Sequence, residues 1–450
     1  MILHRAFLLL LLAWSIAAGE ETGSAREWTS TDGRKISGSM LGTEGGAVAI
    51  KLSGSGKTSK VPLSRLSEAD RDFVAKRGWA LPKPWKKWPG DIKINLDEIE
   101  VETVSTGSKP IYRTRHFEIH SEDELGQLVV KDIARVFEGT YRLLEASPWG
   151  MLARPKGGHF RAELYRNRER YIRAGGPTNS AGVYMPAKKV FMVPFESLGL
   201  KEMSSGWQRT SEYTTKTLIH ELTHMMMDDA LQTLPMWLIE GAAEYMELMP
   251  MRIGAFSPEG HLSALRKHNA QEPAFSLNET FSMDHGTWQN GGKPLRSSGL
   301  PPTLRPETAA EIPKLYHAGL LLTYYFIHLD GDGDAARLQR FIAASVRNAE
   351  RIETYRKDQE AYEKAFQEFI KRPEVQDVGG GNYRFPASLK PPVAPDFPFD
   401  CKPEELPFRE MALLLDSRDK GELLFQVRTA LEKARLSTIG GKAAEGQQER

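Results

Sequence analysis

The sequence predicts an α+β protein with a small all-β unit at the N-terminal end and a helical C-terminal part. Three observations carry this reading. Residues 26–78 hold four short β-like runs separated by the turn signals Asp32-Gly33, Gly45-Gly46 and Gly54-Ser55-Gly56. Residues 115–193 hold strand-like stretches around one long segment with apolar residues at helical spacing. Beyond residue 210 the pattern is mainly helical to about residue 372.

Composition bounds the function. The chain has 450 residues, and at roughly 150 residues per domain that corresponds to about three units. Hydrophobic residues at 40% and charged residues at 26% allow a packed core. Sixty basic against 59 acidic residues give a net charge of +1, which excludes the basic excess of a dedicated nucleic-acid binder or an electrostatic membrane anchor. The single Cys401 excludes a disulfide framework and any multi-cysteine zinc site. A bound metal would have to be held by His and carboxylates.

Residues 1–19 read as a cleaved signal peptide. Arg5 precedes a mostly apolar run, Ala6 to Ala18, and Ala17-Ala18-Gly19 supplies small residues before Glu20. The run is shorter than the roughly 20 residues of a membrane span. No cysteine follows it for a lipid anchor, so the expected product is secreted or periplasmic with no stable membrane anchor.

Residues 20–78 form the first unit. Its β-like runs are Arg26–Thr29, Lys35–Leu41, Ala47–Leu52 and Thr58–Pro62, and Ser67 can cap a short helix with Asp70 three residues on. Trp28, Asp32-Gly33 and the ending Val61-Pro62-Leu63…Leu66-Ser67 resemble the Sla-type homology domain, a small Src-homology-three-like barrel. That resemblance implies a protein or peptide ligand, with a passive accessory barrel as the other reading. Residues 79–112 are a linker candidate, in which Trp79, Trp85 and Trp88 would pack the connector onto the next domain.

The third unit, 113–372, carries the chemistry. His220-Glu221-Leu222-Thr223-His224 sits in a helical segment. Residues four apart share a helix face, so both imidazoles can reach one ion while Glu221 stands beside the first. Pro235 opens a second helix in which Glu240 lies sixteen residues beyond His224. A short turn can return Glu240 to the same ion. Two His and one Glu leave a fourth position open, the pattern of catalytic zinc. A metzincin would need a glycine at position 227 and a histidine at position 230, where this chain has Met227 and Ala230. Asp228 and Glu244 are candidates to orient His224 and His220 from behind, with plain solvated carboxylates as the alternative.

His220-Glu221-Leu222-Thr223-His224 followed by Pro235-x-Trp237-Leu238-x-Glu240-Gly241-x-Ala243-Glu244-Tyr245 resembles the gluzincin peptidases, closest to their exported "peptidase MA-like" branch. The resemblance implies a zincin-like metallopeptidase domain, zinc on His220, His224 and Glu240, and Glu221 as general base. It implies a peptide or protein substrate. Tyr316 resembles the tyrosine that donates to the oxyanion in aminopeptidase-like members, and helix packing is its other reading; His317 is the weaker donor. Gly182-Val183-Tyr184 would line the cleft and pair with an extended substrate, or form an ordinary sheet edge. The Gly-x-Met-Glu-Asn segment of aminopeptidase N is absent, which favours endopeptidase action. Two further functions stay open, an inert zinc-binding scaffold and a zinc amidase acting on cell-wall material.

The remaining features read as structural. Asp330-Gly331-Asp332-Gly333-Asp334 departs from an EF-hand loop, which would continue with a glycine and end on a glutamate where this chain has Ala335 and Phe341. It reads as a turn, with Asp334 capping the next helix. His116 and His120 are too far apart along a strand for a second metal site, and Met225-Met226-Met227 reads as core. Residues 373–450 read as a Pro/Gly-rich loop, short helices at 406–415 and 423–436, and a polar, disordered tail.

Overall fold

A computed structural model describes residues 2–3, 25–82, 85, 87–106, 109–149, 151–155, 157–178, 180–210, 215–252, 254–271, 276–292, 306–416 and 418–436. Residues 4–24, which include most of the expected leader, and the polar tail from 437 lie outside the described residues. The fold is α+β, with a small N-terminal sheet and a helical C-terminal part.

The N-terminal unit is a four-stranded antiparallel meander: β1 (Ala25–Thr29), β2 (Lys35–Glu44), β3 (Ala47–Leu52) and β4 (Thr58–Pro62). β2 runs three residues further than its sequence pattern, because a bulge between Met40 and Gly42 resets the register and lets the strand continue to the Gly45-Gly46 turn. After β4 the chain returns to β1 through a bridge between Leu66 and Ser30. Ser67 then caps α1 (Glu68–Arg77) by accepting from the Asp70 N–H at 3.2 Å. Asp70, 3% exposed, also accepts from Thr29 N–H at 2.7 Å and Arg26 at 2.8 Å, which ties α1 to β1.

The connector is less of a linker than the sequence implies. Trp85 and Trp88 do pack onto the next unit, with Trp88 donating to the Tyr245 hydroxyl at 2.8 Å and Trp85 to the Ala146 carbonyl at 3.3 Å. However, residues 102–105 form an edge strand of the central sheet. That sheet has six strands: β5 (Glu102–Ser105), β6 (Ile111–Arg113), β7 (Phe117–Ser121), β8 (Phe160–Tyr165), β9 (Val183–Met185) and β10 (Val190–Pro194). Their order is β9-β10-β8-β7-β6-β5. β8 is parallel to β7 and β10, and every other pairing is antiparallel. β9 and β5 are therefore the two edge strands, each antiparallel to its neighbour.

Helix α2 (Gln127–Glu145) packs Val130, Ile133, Phe137 and Leu144 into the core, whereas Leu128 points to solvent at 75% exposure. The helices α3 (Lys216–Met226) and α4 (Met236–Glu247) carry the motif, and α5 (His261–Asn269), α6 (Pro306–His328), α7 (Ala336–Ile370) and α8 (Lys420–Lys433) follow. Met225, Met226 and Met227 are all buried. Asp334 accepts from the Ala336 N–H at 3.0 Å, and Asp330 turns inward to Arg337 at 2.8 Å. The Gly/Pro-rich stretch after 373 contains a hairpin that its composition does not announce, Gln376–Gly379 with Asn382–Arg384; the strand Ile2–Leu3 pairs with its second arm. Among the described residues no helix is long and apolar enough to cross a membrane.

Tyr245 on α4 is the centre of a buried polar chain. Its hydroxyl accepts from Trp88 and donates to His328 Nε2 at 2.8 Å, and His261 Nε2 donates to its carbonyl at 2.9 Å. Burial pushes His261 down to about 4, and burial plus the nearby His261 pushes His328 down to about 3. Both folded values lie below the unfolded value near 6.5. Stability from these groups is thus present above pH 6.5 and lost as pH falls toward 4 and 3. For His261 alone the loss is on the order of 3 kcal/mol. Urea-unfolding midpoints should drop between pH 6.5 and 4, with a shallower slope in His261→Asn; equal slopes would contradict this account.

Candidate metal centre

The two motif helices meet as the spacing requires. α3 is amphipathic, with Leu218, Ile219, Leu222 and Thr223 buried, and the Thr223 hydroxyl satisfied by the Ile219 carbonyl at 2.8 Å. This fixes the opposite turns so that His220 and His224 both face α4. The short 231–233 turn reverses the chain, and α4 begins after Pro235. His220 Nε2 then lies 3.3 Å from Glu240 Oε2, and His224 Nε2 lies 3.4 Å from the same oxygen.

These separations fit a shared ion. Bonds of about 2.0–2.1 Å in a tetrahedron place ligand atoms about 3.3–3.4 Å apart. Glu240 Oε2 is buried and makes no well-formed hydrogen bond, although it faces both imidazoles. One ligand atom from each of the three residues lies within 4.8 Å of the others, so the set can hold a metal ion. Burial works against a Glu240 carboxylate, yet His224 and His220 hold it well below the usual carboxylate range. Burial likewise opposes a charged His220, but Glu240 and Glu247 carry it well above its ordinary value. The groups behave as one mutually compensating charge cluster.

The other candidates separate. Glu221 does not join the converging ligand atoms. Its Oε2 accepts from the Tyr184 N–H at 2.9 Å, so the edge strand β9 reaches directly to it. Burial raises the Glu221 carboxyl, with His224 and His220 pulling the other way. Gly182 and Val183 precede Tyr184 at the same edge, and Val183 and Tyr184 pair with Met192 and Phe191 of β10. Tyr316 is brought in by α6. Its ring stacks with His220 at 6.0 Å, and Glu240, then burial, raises its phenol strongly. His317 is turned away, with its Nε2 2.9 Å from Asn269.

Of the two rear carboxylates, Asp228 departs from expectation and Glu244 does not. Asp228 makes no hydrogen bond to His224. It pairs with Lys189 in the turn after β9, and His224 Nδ1 is buried without a partner. The reason is reach: the β9–β10 turn presents a cation at the end of α3, and that cation captures the carboxylate. Glu244 does approach His220, with Oε1 3.5 Å from Nδ1. Glu247 comes closer, with Oε2 at 3.2 Å, and sequence reasoning missed it. The signal was available, since 240, 244 and 247 share one helical face. Trp288, stacked on Tyr316 at 6.1 Å, had no local signal.

No protein-family model matches the chain, and no curated protein matches it. The site therefore stands on its own geometry. A carboxylate behind a ligating imidazole sets its tautomer and its basicity. Glu247→Ala is accordingly expected to weaken zinc binding about 10–100-fold, read by competition with a chromogenic chelator. An unchanged affinity would assign that role to Glu244 alone.

Proposed function

We propose that the protein is an exported zinc-dependent peptidase of the gluzincin kind, with a zincin-like catalytic unit at about 113–372. The observation that carries the reading is the convergence of His220 Nε2, His224 Nε2 and Glu240 Oε2 beside a separate, half-buried Glu221. His220, His224 and Glu240 would hold the ion. Zinc bound there supplies Lewis-acid polarisation and lowers the pKa of a water.

The chain's own groups account for the rest. Glu221 takes the water's proton as a substrate carbonyl is attacked and returns it to the leaving amine. Its raised pKa suits a base that must also act as an acid. The Tyr316 hydroxyl donates toward the carbonyl oxygen as charge develops there. The β9 edge at Gly182–Tyr184 lines the cleft and aligns an extended peptide through groups other than the Tyr184 N–H, which Glu221 holds. The N-terminal sheet, read as the Src-homology-three-like barrel, contacts a protein or peptide partner. The leader directs the product to a secreted or periplasmic location.

The test is metal analysis of the purified chain with mass-spectrometric profiling of peptide mixtures and cell-wall fragments. One zinc per chain and peptide cleavage are expected. Cleavage should stop on chelation and return with zinc. Bound zinc with no peptide turnover would leave an inert scaffold, and cleavage confined to cell-wall fragments would make the enzyme an amidase.

A further inference from the structure

β9 has a strand neighbour on one side only, β10. On its other side it is fastened to the motif helix. The Tyr184 N–H donates to Glu221 Oε2 at 2.9 Å. The side chain of the same tyrosine is buried, and its phenol faces Asp228, two residues beyond the end of α3. One residue of β9 thus meets the motif segment at two points, Glu221 and Asp228.

Asp228 is held in turn. Its side chain is 7% exposed, and it pairs with the Lys189 ammonium. An ion pair between two exposed groups contributes little. Here one partner is withdrawn from water, so losing Lys189 would leave its charge uncompensated.

The turn that carries Lys189 is built for this reach. Lys189 has φ 53°, in the left-handed region where turns ordinarily place Gly, Asn or Asp. A lysine there breaks the local rule, and such conflicts collect where the surroundings hold a functional geometry. Its neighbour Lys188 donates to the Ala174 carbonyl at 3.1 Å, at the end of the short helix Arg168–Arg173. The turn after β9 is therefore fastened on two sides.

We propose that Lys189 and Asp228 are positioning residues for Glu221: their ion pair sets where β9 lies along α3, and so keeps the Tyr184 N–H on the Glu221 carboxylate. The strap is a statement about geometry alone. Its effect on turnover rests on the peptidase reading. With the strap broken, Glu221 stays on α3 but its carboxylate loses a fixed direction. Attack on bound substrate then slows while binding is kept.

Hydrogen exchange on the full chain, read at single amides by mass spectrometry, tests the strap without needing turnover. Lys189 is 62% exposed, so Lys189→Met can be made without opening the core. In Lys189→Met and in Asp228→Asn the Tyr184 amide should exchange at least about tenfold faster, with the β10 amides unchanged. Lys189→Arg should keep the protection. On a peptide that the wild type cleaves, Lys189→Met should lower kcat about 10–100-fold with little change in KM, and Lys189→Arg should restore it. In a Glu221→Gln background Lys189→Met should add no further loss. Wild-type protection of the Tyr184 amide in Lys189→Met would overturn the proposal whatever the activity, as would faster exchange throughout β10. Faster exchange at Tyr184 with undiminished kcat would overturn the positioning role. A wild type without turnover would count against the peptidase reading, and the amide measurement would still decide the strap.

Discussion

Glu221→Gln should lower peptide turnover by roughly 10²–10⁴-fold while leaving zinc content and melting temperature unchanged. The expectation rests on where Glu221 is held. It lies outside the converging set of His220, His224 and Glu240, so the substitution removes no ligand. Gln has the same shape, and its carbonyl oxygen can still accept from the Tyr184 N–H that now bonds the carboxylate at 2.9 Å. What is lost is the capacity to take and return a proton. Stopped assays on a peptide found to be cleaved by the wild type, paired with metal analysis, make the measurement. Undiminished turnover would remove Glu221 from the mechanism. Lost zinc would make it a ligand.

Gly241→Ala is expected to be the most damaging change that touches no polar group. α4 and α6 cross in backbone contact at Gly241 and Gly319. A Cβ on Gly241 would stand 2.3 Å from the Gly319 carbonyl oxygen, and one on Gly319 would stand 2.7 Å from the Trp237 carbonyl oxygen. No flexible side-chain end is available to yield to either carbonyl, so the helices must separate. Overpacking of this kind costs about 1–3 kcal/mol. The functional cost is larger, because Gly241 adjoins Glu240 and Gly319 lies one turn beyond Tyr316. A displacement near 1 Å at such a site is worth roughly 10²-fold in rate. The milder Gly319→Ala should show the same pattern at smaller amplitude. Melting temperature and kcat should fall together; a stable variant with full activity would mean that the crossing does not set the position of Tyr316.

The candidate metal centre was legible because its parts are local. The four-residue spacing of His220 and His224, the first-turn Pro235 and the position of Glu240 each follow from helix periodicity and one short turn. The strands of the N-terminal meander were legible for the same reason, being bounded by glycine-rich turns. What escaped has two causes, short local pairings without a strand-like pattern and partners distant in sequence. Glu102–Ser105 becomes a strand only because β6 lies beside it, and the 376–384 hairpin is masked by the Gly and Pro residues around it. Asp228 looked like a partner for His224 until the turn carrying Lys189 was folded against it. The Gly241–Gly319 crossing pairs residues 78 positions apart, and neither glycine announces it alone.

The hydrogen bond between β9 and Glu221 has a colloidal consequence. A sheet edge that welcomes a strand will also welcome another copy of itself, and such edges nucleate aggregates. Here the Tyr184 amide is already occupied, the next residue but one is Pro186 with no N–H to offer, and Lys188 and Lys189 charge the turn that follows. The edge is kept short, at three residues. Self-association by strand pairing is thereby suppressed at this border of the sheet.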